Sequence, residues 1–175
     1  MRIIISENQL RTIIESENKI SDKKLKIYKD TIDEIGLELA VAMLNKELWE
    51  FIEMGLVEHY NEYLGLDGTP IKSLGNLKSV DGTLDLRNTQ IEDLGNLTWV
   101  ANDLYLTNTP IKDLGNLKHV DGDLYLNYCD NLTDLGNLKS VGGYLYLRGT
   151  PISRTMSKYD IKKKIKVANI AMLAS

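Results

Sequence analysis

The chain has 175 residues, 43% of them apolar, which suits one core-bearing domain or one short repeat array and excludes a disordered chain. A formal charge of −4 and a pI near 5.3 exclude bulk affinity for polyanions, and a single cysteine, Cys129, excludes an internal disulfide and points to a reducing compartment. No apolar run approaches a membrane span and the amino terminus lacks the core of a signal peptide, so the expected location is cytoplasmic, with no membrane partner.

Residues 1–62 contain no trace of a repeat and read as a helical amino-terminal cap. Ile3, Ile4 and Ile5 predict a short buried strand, and Ser6-x-x-Gln9 is a capping-box pattern that opens a helix through about Glu17. A second helix is expected from about Ser21 to Ile35, where Leu25, Tyr28, Ile32 and Ile35 share helical spacing and Gly36 follows as a breaker. The segments 37–44 and 47–60 are apolar on more than one face (Leu48, Trp49, Phe51, Ile52, Leu56, Val57) and need cover on both sides. The cover expected is the first coil of a repeat array.

That array occupies residues 63–153. The tetrapeptide Leu-Gly-Asn-Leu begins at Leu74, Leu94, Leu114 and Leu135, a recurrence of 20, 20 and 21 residues, and such a period marks a solenoid. Each coil opens with two leucines in alternation (Leu64/Leu66, Leu84/Leu86, Leu104/Leu106, Leu124/Leu126, Leu145/Leu147), which places both on one side of a strand in a stacked parallel sheet. Ile71, Ile91, Ile111, Leu132 and Ile152, the two leucines of each tetrapeptide, and Val80, Val100, Val120 and Val141 are expected to point inward as well. Two columns read as left-handed turn positions: Gly68, Asn88, Asn108 and Gly149 after the strand, and Gly82, Asn102, Gly122 and Gly143 before it. Ser73, Asp93, Asp113 and Asp134 are of helix-capping type and suit one short turn.

In the fourth coil, which carries the extra residue, Cys129 falls where Thr69, Thr89, Thr109 and Thr150 stand in the others. Leu84-x-Leu86-x-x-Thr89-x-Ile91 and Leu124-x-Leu126-x-x-Cys129 resemble the signature of leucine-rich repeat proteins, and more loosely the short repeats of bacterial and phage-encoded proteins. The resemblance implies an α/β solenoid, a short leucine-rich repeat array with a parallel β-sheet. It names no activity, and for a phage-encoded chain it implies release on lysis. Threonine in place of the usual asparagine weakens the expectation of an asparagine ladder at that column. Residues 154–175 are expected to close the array with a helix and a strand. Ser157 to Asp160 opens the helix carrying Ile161 and Ile165, and residues 170–173 form the strand, because Val167-Ala168-Asn169 repeats the letters of Val100-Ala101-Asn102.

Catalytic chemistry has little support, since His59 and His119 are the only histidines and neither has a nucleophile and an orienting acid at a recognisable spacing. Two histidines and one cysteine on different elements match no zinc spacing, Asp121-Gly122-Asp123 reads as a turn rather than a calcium loop, and no cofactor or metal is expected. The outer face of the sheet is more informative. Its central column reads Gly65, Asp85, Tyr105, Tyr125, Tyr146, flanked by Tyr63, Thr83, Asp103, Asp123, Tyr144 and by Asp67, Arg87, Thr107, Asn127, Arg148.

Strands about 4.8 Å apart bring those tyrosines into one strip. Tyr105, Tyr125, Tyr144, Tyr146, Arg87 and Arg148 are therefore the candidate partner-binding residues of a non-enzymatic protein-recognition module, although tyrosine columns also stabilise sheets by stacking. Trp99 reads as packing on a neighbouring loop or as a lone contact residue. Two further readings stand beside the recognition module. One is a structural part of an assembly such as a phage particle. The other is a nucleic-acid module using Arg154, Lys158, Lys162, Lys163, Lys164 and Lys166, which is disfavoured because such clusters are usually the solvated face of a terminal helix. Residues 1–62 carry 8 Lys/Arg against 13 Asp/Glu, so opposite charge at the two ends is also compatible with head-to-tail association.

Overall fold

A computed structural model describes residues 47–53, 55 and 57–172. The expectations for residues 1–46, for Leu56 and for Leu173 lie outside the described residues. The rest is a β-solenoid of about four turns, and every strand pairing in it is parallel.

Each coil contributes two short strands rather than the one expected. The first ladder consists of β1 (His59–Tyr60), β3 (Ser79–Val80), β5 (Trp99–Val100) and β7 (His119–Val120). The second consists of β2 (Leu64–Gly65), β4 (Leu84–Asp85), β6 (Leu104–Tyr105) and β8 (Leu124–Tyr125). Both ladders run into β9 (Ser140–Tyr146), which passes through the two of them without a break. The segment read only as an inward valine is thus a strand, and its period-two pattern was too short to register. Glycines 142 and 143 let β9 pass close over the preceding coil, because a Cβ on either would collide with Asp121 O or Asp123 Oδ1.

The inward columns lie where the alternation puts them. Both leucines of each strand, the isoleucine column, the two tetrapeptide leucines and the valines are buried from coil to coil in one continuous core. Repetition of one inward set at each coil removes it from water and supplies the main stabilisation.

The corners differ from expectation in two respects. The column after the strand is left-handed as predicted, and Tyr128 joins it at φ 58° beside Asn88 at 58° and Asn108 at 61°. The column before the strand is not left-handed: Gly82, Asn102, Gly122 and Gly143 do not have positive φ. Small residues there answer to crowding instead, since a Cβ on Gly82 would meet the Glu62 backbone and one on Gly122 the Asn102 backbone. The other left-handed column is the tetrapeptide glycine, from Gly115 at φ 51° to Gly95 and Gly136 at 55°. Its amide is received by the residue two positions earlier, as in Asp113 Oδ1 to Gly115 N at 2.7 Å, so the capping-type residues close Asx turns rather than helical turns.

An asparagine ladder does exist, at the tetrapeptide rather than at the Thr/Cys column. Asn76, Asn96, Asn116 and Asn137 each donate Nδ2 to the glycine carbonyl of the coil before, at 2.9, 3.3, 3.0 and 2.8 Å. The threonines instead return their hydroxyls to a carbonyl three residues earlier in their own coil, each at 2.8 Å. Cys129 Sγ reaches across to Leu106 O at 3.0 Å, and burial raises its thiol pKa.

The helix expected over 47–60 ends early. Helix α1 (Leu48–Glu53) gives way to Gly55 at φ 75°, and the chain enters β1. Gly55 occupies the place of the tetrapeptide glycine, with its carbonyl held by Asn76, so the ladder reaches back beyond the point at which the repeat becomes legible. At the other end α2 (Pro151–Thr155) is capped by the Thr150 hydroxyl, and α3 (Lys158–Lys164) by a capping box between Ser157 and Asp160. Strand β10 (Lys166–Ala171) then pairs with β9. It starts earlier than expected because Val167 takes a valine place in the first ladder opposite Val141, while Ile170 takes a leucine place opposite Leu145.

Candidate functional site

Parallel pairing in strict register carries the outward column of the second ladder from Gly65 to Asp85, Tyr105, Tyr125 and Tyr146. The three tyrosines are half-buried and stacked. Tyr105 and Tyr125 have ring centroids 4.5 Å apart at 12°, Tyr125 and Tyr146 4.4 Å apart at 4°, and Tyr144 adds a ring 5.7 Å from Tyr146. Arg87 closes the other end, its guanidinium carbon 5.2 Å from the Tyr105 centroid. Five of the six sequence-derived candidates therefore form one continuous strip. Arg148 is not stacked on these rings; its guanidinium carbon lies 5.7 Å from the Tyr128 ring centroid.

Carboxylates that the sequence did not assign hold the strip in place. Asp103 Oδ2 accepts the Tyr105 hydroxyl at 3.2 Å while its Oδ1 accepts Asp123 N at 2.7 Å. Asp123 repeats the arrangement one coil on, accepting the Tyr125 hydroxyl at 3.0 Å and Tyr144 N at 2.7 Å. Burial, reinforced by the adjacent carboxylates, holds the Tyr105 and Tyr125 phenols above their ordinary pKa, so both remain donors. The signal for this was the spacing Asp-x-Tyr in two successive coils, which puts both side chains on one strand face.

Where the column reaches Asp85 the stack is replaced by an ion pair with a buried carboxylate and an exposed guanidinium. Asp85 is 2% exposed, and its oxygens receive Arg87 Nε at 2.9 Å and Nη2 at 2.5 Å. Burial works to raise the Asp85 pKa, but the hydrogen bonds and charge of Arg87 outweigh it and leave the carboxyl below its usual range. The same contacts raise Arg87. Tyr63 leans across Gly65, where a Cβ would strike its ring, and brings its hydroxyl to 3.4 Å from Asp85 Oδ2.

His59, Trp99 and His119 lie on the first ladder, while Arg154 is on α2, Lys158, Lys162, Lys163 and Lys164 on α3, and Lys166 on β10. His59 Nδ1 is 2.7 Å from Ser79 Oγ, His119 Nδ1 is 2.9 Å from Ser140 Oγ, and both histidines are exposed. Trp99 donates Nε1 to Asp121 Oδ2 of the next coil at 2.9 Å. Among the described residues no group of three or more His, Cys, Asp or Glu is placed to hold a metal, and no helix is long and apolar enough to cross a membrane.

Comparison with models of known families, with curated proteins and with solved structures finds no match.

Proposed function

We propose that the protein is a non-enzymatic recognition module that binds a protein partner on the tyrosine-bearing face of the second ladder. The observation that carries this reading is the strip itself: four stacked tyrosines ending on Arg87, two of them hydrogen-bonded to carboxylates within the protein. Side chains already ordered lose little entropy on binding, and tyrosine and arginine dominate protein interfaces for that reason. The resemblance to leucine-rich repeats of bacterial and phage type, with residues 1–62 and 154–175 as caps on the array, belongs to the same proposal, as does a cytoplasmic location or release on lysis.

The test compares wild type with a Tyr105→Ser/Tyr125→Ser/Tyr146→Ser variant in affinity capture, with the partner identified by mass spectrometry and both proteins shown folded by circular dichroism. A Tyr144→Ser variant leaves the three-ring stack intact and guards against loss of fold. Loss of one identified partner in both variants is expected. Retention of that partner by both would remove the strip as the site.

A second reading draws on the same stack. Tyr105 and Tyr125 spend both ring faces and their hydroxyls inside the molecule, which suits a spine that stiffens a spacer within a larger assembly. On that reading residues at the two ends, not the strip, lose solvent exposure on assembly.

A further inference from the structure

The two ends of the strip hold similar residues in different states. At the amino-terminal end everything is satisfied, with the Asp85 carboxylate bound by Arg87 through two nitrogens and approached by the Tyr63 hydroxyl. In the middle, Asp103 and Asp123 absorb the phenols of Tyr105 and Tyr125. At the carboxy-terminal end the carboxylates stop. Tyr144 fills the column position of Asp103 and Asp123, and Tyr146 fills the position of Asp85. Arg148, which stands two residues beyond Tyr146 as Arg87 stands beyond Asp85, thus has no carboxylate on its own strand. Among the described residues the Tyr146 hydroxyl has no acceptor and the Arg148 guanidinium no acidic partner. The guanidinium rests instead over Tyr128, a pose that leaves its donor edge available.

We propose that this end, formed by Tyr144, Tyr146 and Arg148 with Tyr128 beneath the guanidinium, and with Asn169 and Ala171 of β10 alongside the two strip tyrosines, binds an acidic peptide segment of a protein partner. An Asp or Glu side chain of that segment accepts from Arg148 as Asp85 accepts from Arg87. Asp85 is the internal template, since on it converge an arginine in this column position and the Tyr63 hydroxyl from the flanking column of the coil before. Charge at this end is complementary. Residues 144–175 contain 7 Lys/Arg against one acidic residue, Asp160, whose carboxylate is already engaged by Ser157 N at 3.2 Å and Ser157 Oγ at 2.6 Å. Tyr128 and Tyr144, each 46% exposed, supply aromatic surface beside the charged contact. The proposal rests on the reading of the strip as a protein-binding face and narrows it to one end and one chemistry.

The experiment is fluorescence anisotropy on the full chain with fluorescein-labelled octaglutamate as probe, in parallel with labelled octalysine and a single-stranded DNA oligonucleotide. Octaglutamate is expected to bind and octalysine not to bind. Arg148→Ala should weaken octaglutamate about tenfold or more, as loss of a charge-assisted hydrogen bond implies. Tyr146→Phe keeps the ring on Tyr125, removes only the hydroxyl, and should weaken binding about threefold to tenfold. Arg154→Ala removes the same charge from α2 and should change affinity less than about twofold. The proposal is overturned if octaglutamate does not bind, if the three variants lose affinity equally, or if the oligonucleotide is the probe that depends on Arg148. A natural partner lost by the triple tyrosine variant but held normally by Arg148→Ala and Tyr146→Phe would preserve the strip and overturn the acidic-peptide site alone.

Discussion

Leu106 and Thr107 are adjacent in the chain and opposite in environment, the first fully buried between coils and the second partly exposed on the outer face. Leu106→Ala should therefore lower stability by about 2–5 kcal/mol in urea denaturation, because coils above and below cannot collapse into the cavity. Thr107→Ala should cost about 0.5 kcal/mol or less. This contrast was legible from the strict alternation of the strand. Less legible was Tyr128, which the regular 20-residue spacing from Asn108 places in the left-handed position normally left to Gly or Asn. A bulky residue there carries strain, and the misfit to the Gly/Asn column was the available sign.

At the scale of one strand and its neighbours, Asp85 shows how an element's face is set by pairing. Its carboxyl pKa lies below the unfolded value of about 3.9, so its contribution is complete above that pH and fades as pH falls through the lower folded value. Asp85→Asn should reduce stability by about 1–2 kcal/mol at pH 7, a modest figure because the Arg87 side of the pair is half exposed. The difference between variant and wild type should narrow below about pH 4, and chemical denaturation at pH 7 and pH 3 checks it. The sequence placed Asp85 in the tyrosine column but left its partner unassigned. Whether a carboxylate faces an arginine two residues along its own strand or a tyrosine from the coil before depends on rotamers.

The whole molecule is a stack in which each coil of the array pairs with the coil before and the coil after it. Deletion of residues 103–122, one period, joins Asn102 to Asp123 in register and should yield a shorter folded solenoid. Circular dichroism should show a retained β signal and a lower thermal midpoint, whereas an unfolded product would mean that the stack depends on contacts beyond neighbouring coils. The sequence by itself determined the period, the inward columns and the tyrosine strip, because each is a local pattern that recurs coil after coil and repetition makes its register unambiguous. Tertiary structure alone decided the first ladder, the asparagine ladder at the tetrapeptide, the use of glycine before the second-ladder strands for close approach rather than for positive φ, and the carboxylate-free end at Tyr146 and Arg148. Those features are relations between neighbouring coils, and the energy of a contact between coils depends on which atoms meet across the stack, which a pattern read along one strand does not contain.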